Sequence, residues 1–306
     1  MFDLFRLKEA LVRYKQDFVS MEWKNEKYKW EAVKWFQDHW DVNATDFPAM
    51  LNTALDKTFN LLASANNFPK GMIVGFAKSA PEEVRAMFID LFDENKDVYE
   101  RIDAFKLGSS KLLERYGNGA AQHYQLENAI STYLWLRYPD RYYIYKFSEV
   151  KVVAAELEAD YRFKKGAYAD NVRNFIKLYD EICSVLQADQ ELINLLRAQL
   201  TDTCYPDPEL RTLTIDVGFY ISRYYSQRDA EQTAPEEWVG SDYNPNLSVE
   251  DWKGLLQDET VFTSSALQIM KRMKDYGGTA SCTQLAVKYG ETKNFYNSGS
   301  VALARR

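Results

Sequence analysis

The sequence predicts a mainly α protein: a multi-helical N-terminal domain with at most a short strand element, and a small C-terminal helix-turn-helix module, with or without a wing. Three observations carry this expectation. Apolar residues recur every three or four positions along most of the chain, the spacing of one helix face. Alternation typical of a strand occurs once, over 141–147. Charge also changes sign late in the chain. Residues 228–260 hold nine acidic side chains against two basic, whereas 271–306 hold seven basic against two acidic. That asymmetry marks a separate module.

Leu4, Leu7, Leu11, Tyr14 and Phe18 define the first helical face, and Ala32, Val33, Phe36 and Trp40 the second. Leu51, Leu55, Thr58 and Leu62 define a third. Pro81 opens the next helix, where its missing N–H has no partner to lose, and Val84, Met87, Phe88 and Leu91 line its inner face. Val98, Ile102, Phe105, Leu112 and Tyr116 follow, stopped by Gly117 and Gly119. Leu126, Ile130, Tyr133 and Leu134 form another stripe, ended before Pro139. The run Arg141-Tyr142-Tyr143-Ile144-Tyr145-Lys146-Phe147 is the expected strand, and Ser148-Glu149 starts the following helix. A long helix is expected over 169–187 and a shorter one over 189–200. Pro206 and Pro208 break the pattern, and 213–225 is read as helix. The expected domains are 1–226, with a subdivision near 70–80, an acidic linker over 227–247 carrying Pro235, Gly240 and Pro245, and the module 248–306.

With 306 residues the chain suits two or three domains, and 46% hydrophobic content supplies a sizeable core. Cys183, Cys204 and Cys282 are odd in number and far apart, which argues against a disulfide scaffold or a cysteine zinc site. The charged start MFDLFRLKEALVRYKQD does not resemble a signal peptide, and no stretch is apolar enough to span a bilayer. A cytoplasmic protein without membrane contact is the expectation. The net charge of −7 speaks mildly against nucleic-acid binding by the whole chain, but the C-terminal excess, about +5 by the sequence-reading rule for local patches, does not.

Catalytic signatures are incomplete. Gly71-Met72-Ile73-Val74-Gly75-Phe76 lacks the lysine and hydroxyl of a phosphate loop. His39 and His123 fall on different elements and form no metal-ligand pair. Asp140 with Glu149-Val150-Lys151 supplies the letters of a metal-dependent nuclease core, but Glu149 is expected to begin a helix and not to lie on a strand. Neither a cofactor nor a metal site is expected, and the chain is read as a non-enzyme acting by recognition. Trp135, Tyr142, Tyr143, Tyr145 and Phe147 form an aromatic cluster with two readings. Trp135, Tyr142, Tyr143 and Tyr145 could stack on bases, or the group packs the strand against helices.

In the C-terminal module Ser248 and Asp251 form a reciprocal cap. Trp252, Leu255 and Leu256 follow. Thr263 or Ser264 caps the next helix, with Ala266, Ile269, Met270 and Met273 inward and Gly277-Gly278 at its end. The stretch 279–290 then places Ala286 four residues before Gly290. A helix-turn-helix needs a small residue where its helices cross and a permissive one at the turn. A final helix is expected from about 294 to 306. Thr283, Gln284, Asn294 and Asn297 are candidates to approach bases, Lys288, Lys293, Arg305 and Arg306 to contact phosphates, and Tyr296 to contact DNA at a base edge or a phosphate. A small helical packing module with solvated basic residues explains the same pattern.

Three phrases resemble a known family: Leu126-Glu127-Asn128-Ala129-Ile130-Ser131-Thr132-Tyr133-Leu134, Arg137-Tyr138-Pro139-Asp140-Arg141-Tyr142-Tyr143-Ile144-Tyr145-Lys146 and Asn294-Phe295-Tyr296-Asn297-Ser298-Gly299. With the Tyr289-Gly290 turn they resemble the region preceding the motor in McrB-like AAA+ proteins of modification-dependent restriction systems, over roughly 80–306. The resemblance implies DNA recognition, often of a modified base, by this region. It further implies an AAA+ motor hydrolysing GTP or ATP, in cis or in trans, and a partner nuclease subunit. No Walker motif occurs here, so the expectation is a fragment or a stand-alone relative, and nucleotide hydrolysis is not carried over. A protein–protein assembly or adaptor module without nucleic-acid contact is the alternative.

Overall fold

Helix is the only regular secondary structure among the described residues. The computed structural model describes residues 1–63, 68–225, 248–258, 262–278, 282–290 and 295–296, without the side chains of 283, 284 and 287. The chain divides into two units, Met1–Thr233 and Ala234–Arg306, and the division falls inside the segment expected to link them.

In the first unit, Asp3 caps α1 (Leu4–Asp17) by accepting the N–H of Phe5 at 2.8 Å. A π-helical turn, Phe18–Glu22, joins it to the short α2 (Trp23–Glu26), and α3 (Tyr28–His39) follows. Asp46 caps α4 (Phe47–Ala54). The single helix expected through Leu62 is interrupted after α4. The Thr58 hydroxyl donates to the Leu55 carbonyl at 2.7 Å, closing a 3-10 turn, and α5 (Phe59–Leu62) resumes the helix. Next come α6 (Pro69–Ser79) and α7 (Pro81–Leu91), each with proline in its first turn. Asp97 caps the long α8 (Val98–Tyr116). Then α9 (Glu127–Arg137), α10 (Phe147–Glu156), α11 (Tyr168–Gln187) and α12 (Gln190–Gln199) precede α13 (Arg211–Tyr220), which continues into a second π-helical turn, Ile221–Tyr225.

These helices share one hydrophobic core reaching from Leu7 to Tyr225. The pairs α3–α9, α6–α7, α7–α8 and α11–α13 pack directly. The subdivision expected near 70–80 is therefore corrected: α6 occupies that stretch, and its Ile73, Val74, Phe76 and Ala77 belong to the common core. Each large apolar side chain fully removed from water contributes about 1.5–3 kcal/mol.

The expected strand is also corrected. Residues 142–146 form no regular secondary structure, and no strand occurs among the described residues to pair with them. Side chains of α9 take that role: Ser131 accepts the Tyr145 N–H at 2.9 Å, and Asn128 donates to the Tyr145 carbonyl at 2.9 Å. A buried irregular segment needs its backbone groups satisfied, and at Tyr145 Asn128 and Ser131 of α9 do so.

Buried charge concentrates where α1, α3 and α13 meet. Lys29, 2% exposed on its side chain, donates to Asp216 and lies 3.0 Å from Glu26, while the Tyr14 hydroxyl donates to Asp216 at 2.6 Å. Burial alone would lower the pKa of the Lys29 ammonium, but Asp216 and Glu26 outweigh it and hold it above its ordinary value.

Candidate nucleic-acid interface

The second unit starts with α14 (Val249–Gln257), whose cap is reciprocal as expected: Ser248 accepts the Asp251 N–H and Asp251 accepts the Ser248 N–H. None of its residues is buried. Thr263 caps α15 (Ser264–Tyr276). Gly277, at φ +113°, ends it in a Schellman arrangement, with Gly278 N–H bonded to the Met273 carbonyl and Gly277 N–H to that of Lys274, both at 3.0 Å. Then α16 (Cys282–Tyr289) stops at Gly290.

The Ala286–Gly290 spacing has a definite geometry. Gly290 is left-handed at φ +85° and its N–H bonds to the Ala286 carbonyl at 2.9 Å. A side chain is strained in that conformation, so glycine fits for a stated reason. Ala286 lies against the small core of Ile269, Leu285 and Tyr296, which draws on α15, α16 and the residue pair beyond the turn. Two helices and the residue pair 295–296 thus contribute to one small core on either side of a glycine turn.

The expected DNA contact at Tyr296 is corrected. Its ring is 0% exposed, and its hydroxyl accepts from Arg272 at 2.6 Å. The Arg272 guanidinium lies 5.2 Å from the Tyr289 ring centroid and 5.8 Å from that of Tyr296, so Arg272 is also part of this packing. Lys288 behaves differently. It is exposed on α16, with its ammonium 4.9 Å from the Tyr276 ring centroid. Lys271 and Lys274 are exposed one turn apart on α15. These two lysines were not singled out as contacts from sequence, although they belong to the cationic stretch. Thr283 and Gln284 lie in the first turn of α16, but their side chains fall outside the described residues, as do Lys293, Asn294, Asn297, Arg305 and Arg306 entirely.

The aromatic cluster of the first unit belongs to the packing. Trp135 is 0% exposed and its indole N–H donates to Thr212 at 3.1 Å. Tyr143 donates to Asp180 at 2.9 Å and meets Phe175 and Tyr179 edge-on. Tyr145 meets Phe175 edge-on. Tyr142, half-buried, donates to Glu94 at 2.6 Å and accepts from Arg101 at 2.8 Å. The base-stacking reading of these four residues is corrected accordingly: three are core rings, and the fourth is held in a polar network.

Asp140 accepts from the Tyr205 hydroxyl at 2.6 Å, and Glu149 and Lys151 ride on helix α10, so the strand context of the nuclease motif is missing. His39 stacks on Trp35 with ring centroids 3.8 Å apart, and His123 accepts the Gln125 N–H or lies beside it at 2.9 Å according to its tautomer. Among the described residues no three or more His, Cys, Asp or Glu side chains are grouped to hold a metal ion, and no helix is long and apolar enough to cross a membrane. No family model matches the chain, and neither a curated protein nor a solved structure matches it.

Proposed function

We propose that the chain is a DNA-recognition region, of the kind that McrB-like restriction ATPases carry ahead of their motor, and that its second unit grips the duplex. The observation that carries this reading is the left-handed Gly290 turn, four residues after Ala286 and next to a small core, with Lys271, Lys274 and Lys288 exposed on the two helices that build that core. The first unit then serves as a scaffold or as the dock for a motor and a nuclease. Lysine–phosphate contacts release counterions, so affinity falls steeply with salt, by a log–log slope of about 0.9 per phosphate neutralised.

Fluorescence anisotropy with labelled duplex at two salt concentrations tests this. Wild type is expected to bind in a salt-sensitive manner, and the charge reversal Lys271→Glu, Lys274→Glu, Lys288→Glu to weaken binding and flatten the slope. Micromolar protein giving no salt-sensitive signal sinks the reading.

A specific observation also favours an assembly or adaptor role. On α14, Val249, Trp252 and Leu256 are 65%, 44% and 39% exposed, an apolar stripe at helical spacing open to solvent. Co-purification of a partner that is lost in Trp252→Glu but unaffected by the three lysine reversals supports that role over DNA binding.

A further inference from the structure

The stripe that begins with Leu7, Leu11, Tyr14 and Phe18 does not end at Phe18. It continues inward through Glu22, Glu26 and Lys29. Glu22 is 0% exposed, and neither of its carboxyl oxygens has a hydrogen-bond partner. It closes the π-helical turn Phe18–Glu22, in which the Trp23 N–H bonds to the Phe18 carbonyl five residues back. The second π-helical turn, Ile221–Tyr225, continues α13, the helix that carries Asp216, and packs on α1 and α10. Single π-helical turns recur at functional positions in helices.

The charges around Glu22 do not suit a carboxylate. The charged and titratable groups acting on it are Tyr14 and Asp17 from α1, Glu26 from α2, Lys29 from α3, Asp216 from α13, and Tyr224 from the second π turn. Lys29 is the one cation in this set, and Asp216 and Glu26 already share it. Asp17 accepts from the Tyr220 hydroxyl at 2.7 Å and adds another negative charge. The neighbouring α12 contributes Glu191 and Arg197, both exposed, the second π turn adds Arg223, also exposed, and α10 carries Glu149, Lys151 and Glu156. None of these reaches hydrogen-bond distance of Glu22. An ionised Glu22 would therefore be a buried, unpaired charge beside three carboxylates, which a protein interior avoids by keeping the proton.

We propose that Glu22 is a proton-held latch: with its carboxyl neutral, the two π-helical turns close over the Lys29–Asp216 pair, and loss of the proton opens the seam between α1 and α13. Burial first, then the repulsion of Asp216, pushes the carboxyl up to about 8, with Lys29 opposing. The folded seam thus binds one more proton than the open one. Opening becomes easier as pH rises from the ordinary glutamate range to about 8, and levels off above it.

Amide hydrogen exchange on the full chain tests this, read on peptides covering 14–30 and 211–225 and corrected for the intrinsic rate. Wild type is expected to open about tenfold more per pH unit between pH 6 and 8, the slope of a single proton. Glu22→Gln, which keeps the shape of the neutral acid, is expected to remove that slope. A slope that persists in Glu22→Gln, or its absence from wild type, overturns the proposal. Should Glu22→Gln fail to fold, carboxyl-carbon NMR of the wild type reads the proton directly: a Glu22 signal titrating together with surface glutamates overturns the latch, and one still protonated at neutral pH supports it.

Discussion

Lys29 organises the polar interior of the first unit. Its ammonium is enclosed by Asp216, Glu26 and, at 4.6 Å, the face of the Phe219 ring. A buried ion pair of this kind is weak evidence of net stability, but removing one partner leaves the other charge without compensation. Lys29→Met is therefore expected to destabilise the protein by about 3–5 kcal/mol, measured as a loss in urea unfolding free energy at pH 7. A loss near that of an exposed lysine would mean that Asp216 finds another cation. This cluster was legible in the sequence, because Glu22, Glu26 and Lys29 fall in the register of the Leu11, Tyr14 and Phe18 stripe. Reading only the apolar members of the stripe hid it. What the sequence did not reveal is the pairing of Lys29 with Asp216, which brings together positions 187 residues apart.

At the scale of elements, periodicity made α1, α3, α7, α8 and α11 legible, since each carries an apolar stripe, whereas α9 is buried on nearly every side, its Ser131 and Thr132 included. The ends were read where Ser248 or Thr263 supplies a side-chain oxygen to a first-turn N–H; Asp3, Asp46 and Asp97 do the same in the first unit, but were not singled out from the sequence. Helix α6 was missed because Gly71 and Gly75 suggest a loop, and the irregular segment 142–146 was read as a strand because β-forming aromatics also suit a segment packed against helices. Glycine inside α6 carries an entropic cost that burial of Ile73, Val74 and Phe76 overcomes. Both glycines have open space where a Cβ would stand. Gly75→Ala is accordingly expected to stabilise the first unit by about 0.5–1 kcal/mol, seen as a higher urea midpoint with an unchanged slope. A destabilising outcome would show that some contact of this glycine has been overlooked. In the C-terminal unit, Ala286 and Gly290 were legible as a turn, whereas Tyr296 was misassigned because an aromatic near a helix start suits either a base or a core.

At the scale of the whole molecule, two separate hydrophobic clusters imply two separable melting units. One cluster runs through the first unit, and the other is built around Ile269, Leu285 and Tyr296. Two glycines allow each to be perturbed alone. A Cβ at Gly218 would stand 2.2 Å from the Tyr179 hydroxyl oxygen, and Tyr179 is itself 1% exposed, so the ring has little room to withdraw. Overpacking of this kind costs about 1–3 kcal/mol, which in a unit of this size lowers Tm by roughly 2–4 °C per kcal/mol. At Gly290 the space is open, but the backbone is left-handed, and an L side chain there costs about 1–2 kcal/mol. In the smaller unit each kcal/mol corresponds to roughly 4–8 °C. Differential scanning calorimetry is expected to show two transitions, the higher lowered by Gly218→Ala alone and the lower by Gly290→Ala alone. The DNA reading sharpens the expectation, since duplex added to wild type should raise the lower transition and leave the higher in place. A single transition shifted by both substitutions would show that the two units fold as one, and the cationic module could then no longer be treated as a separable grip.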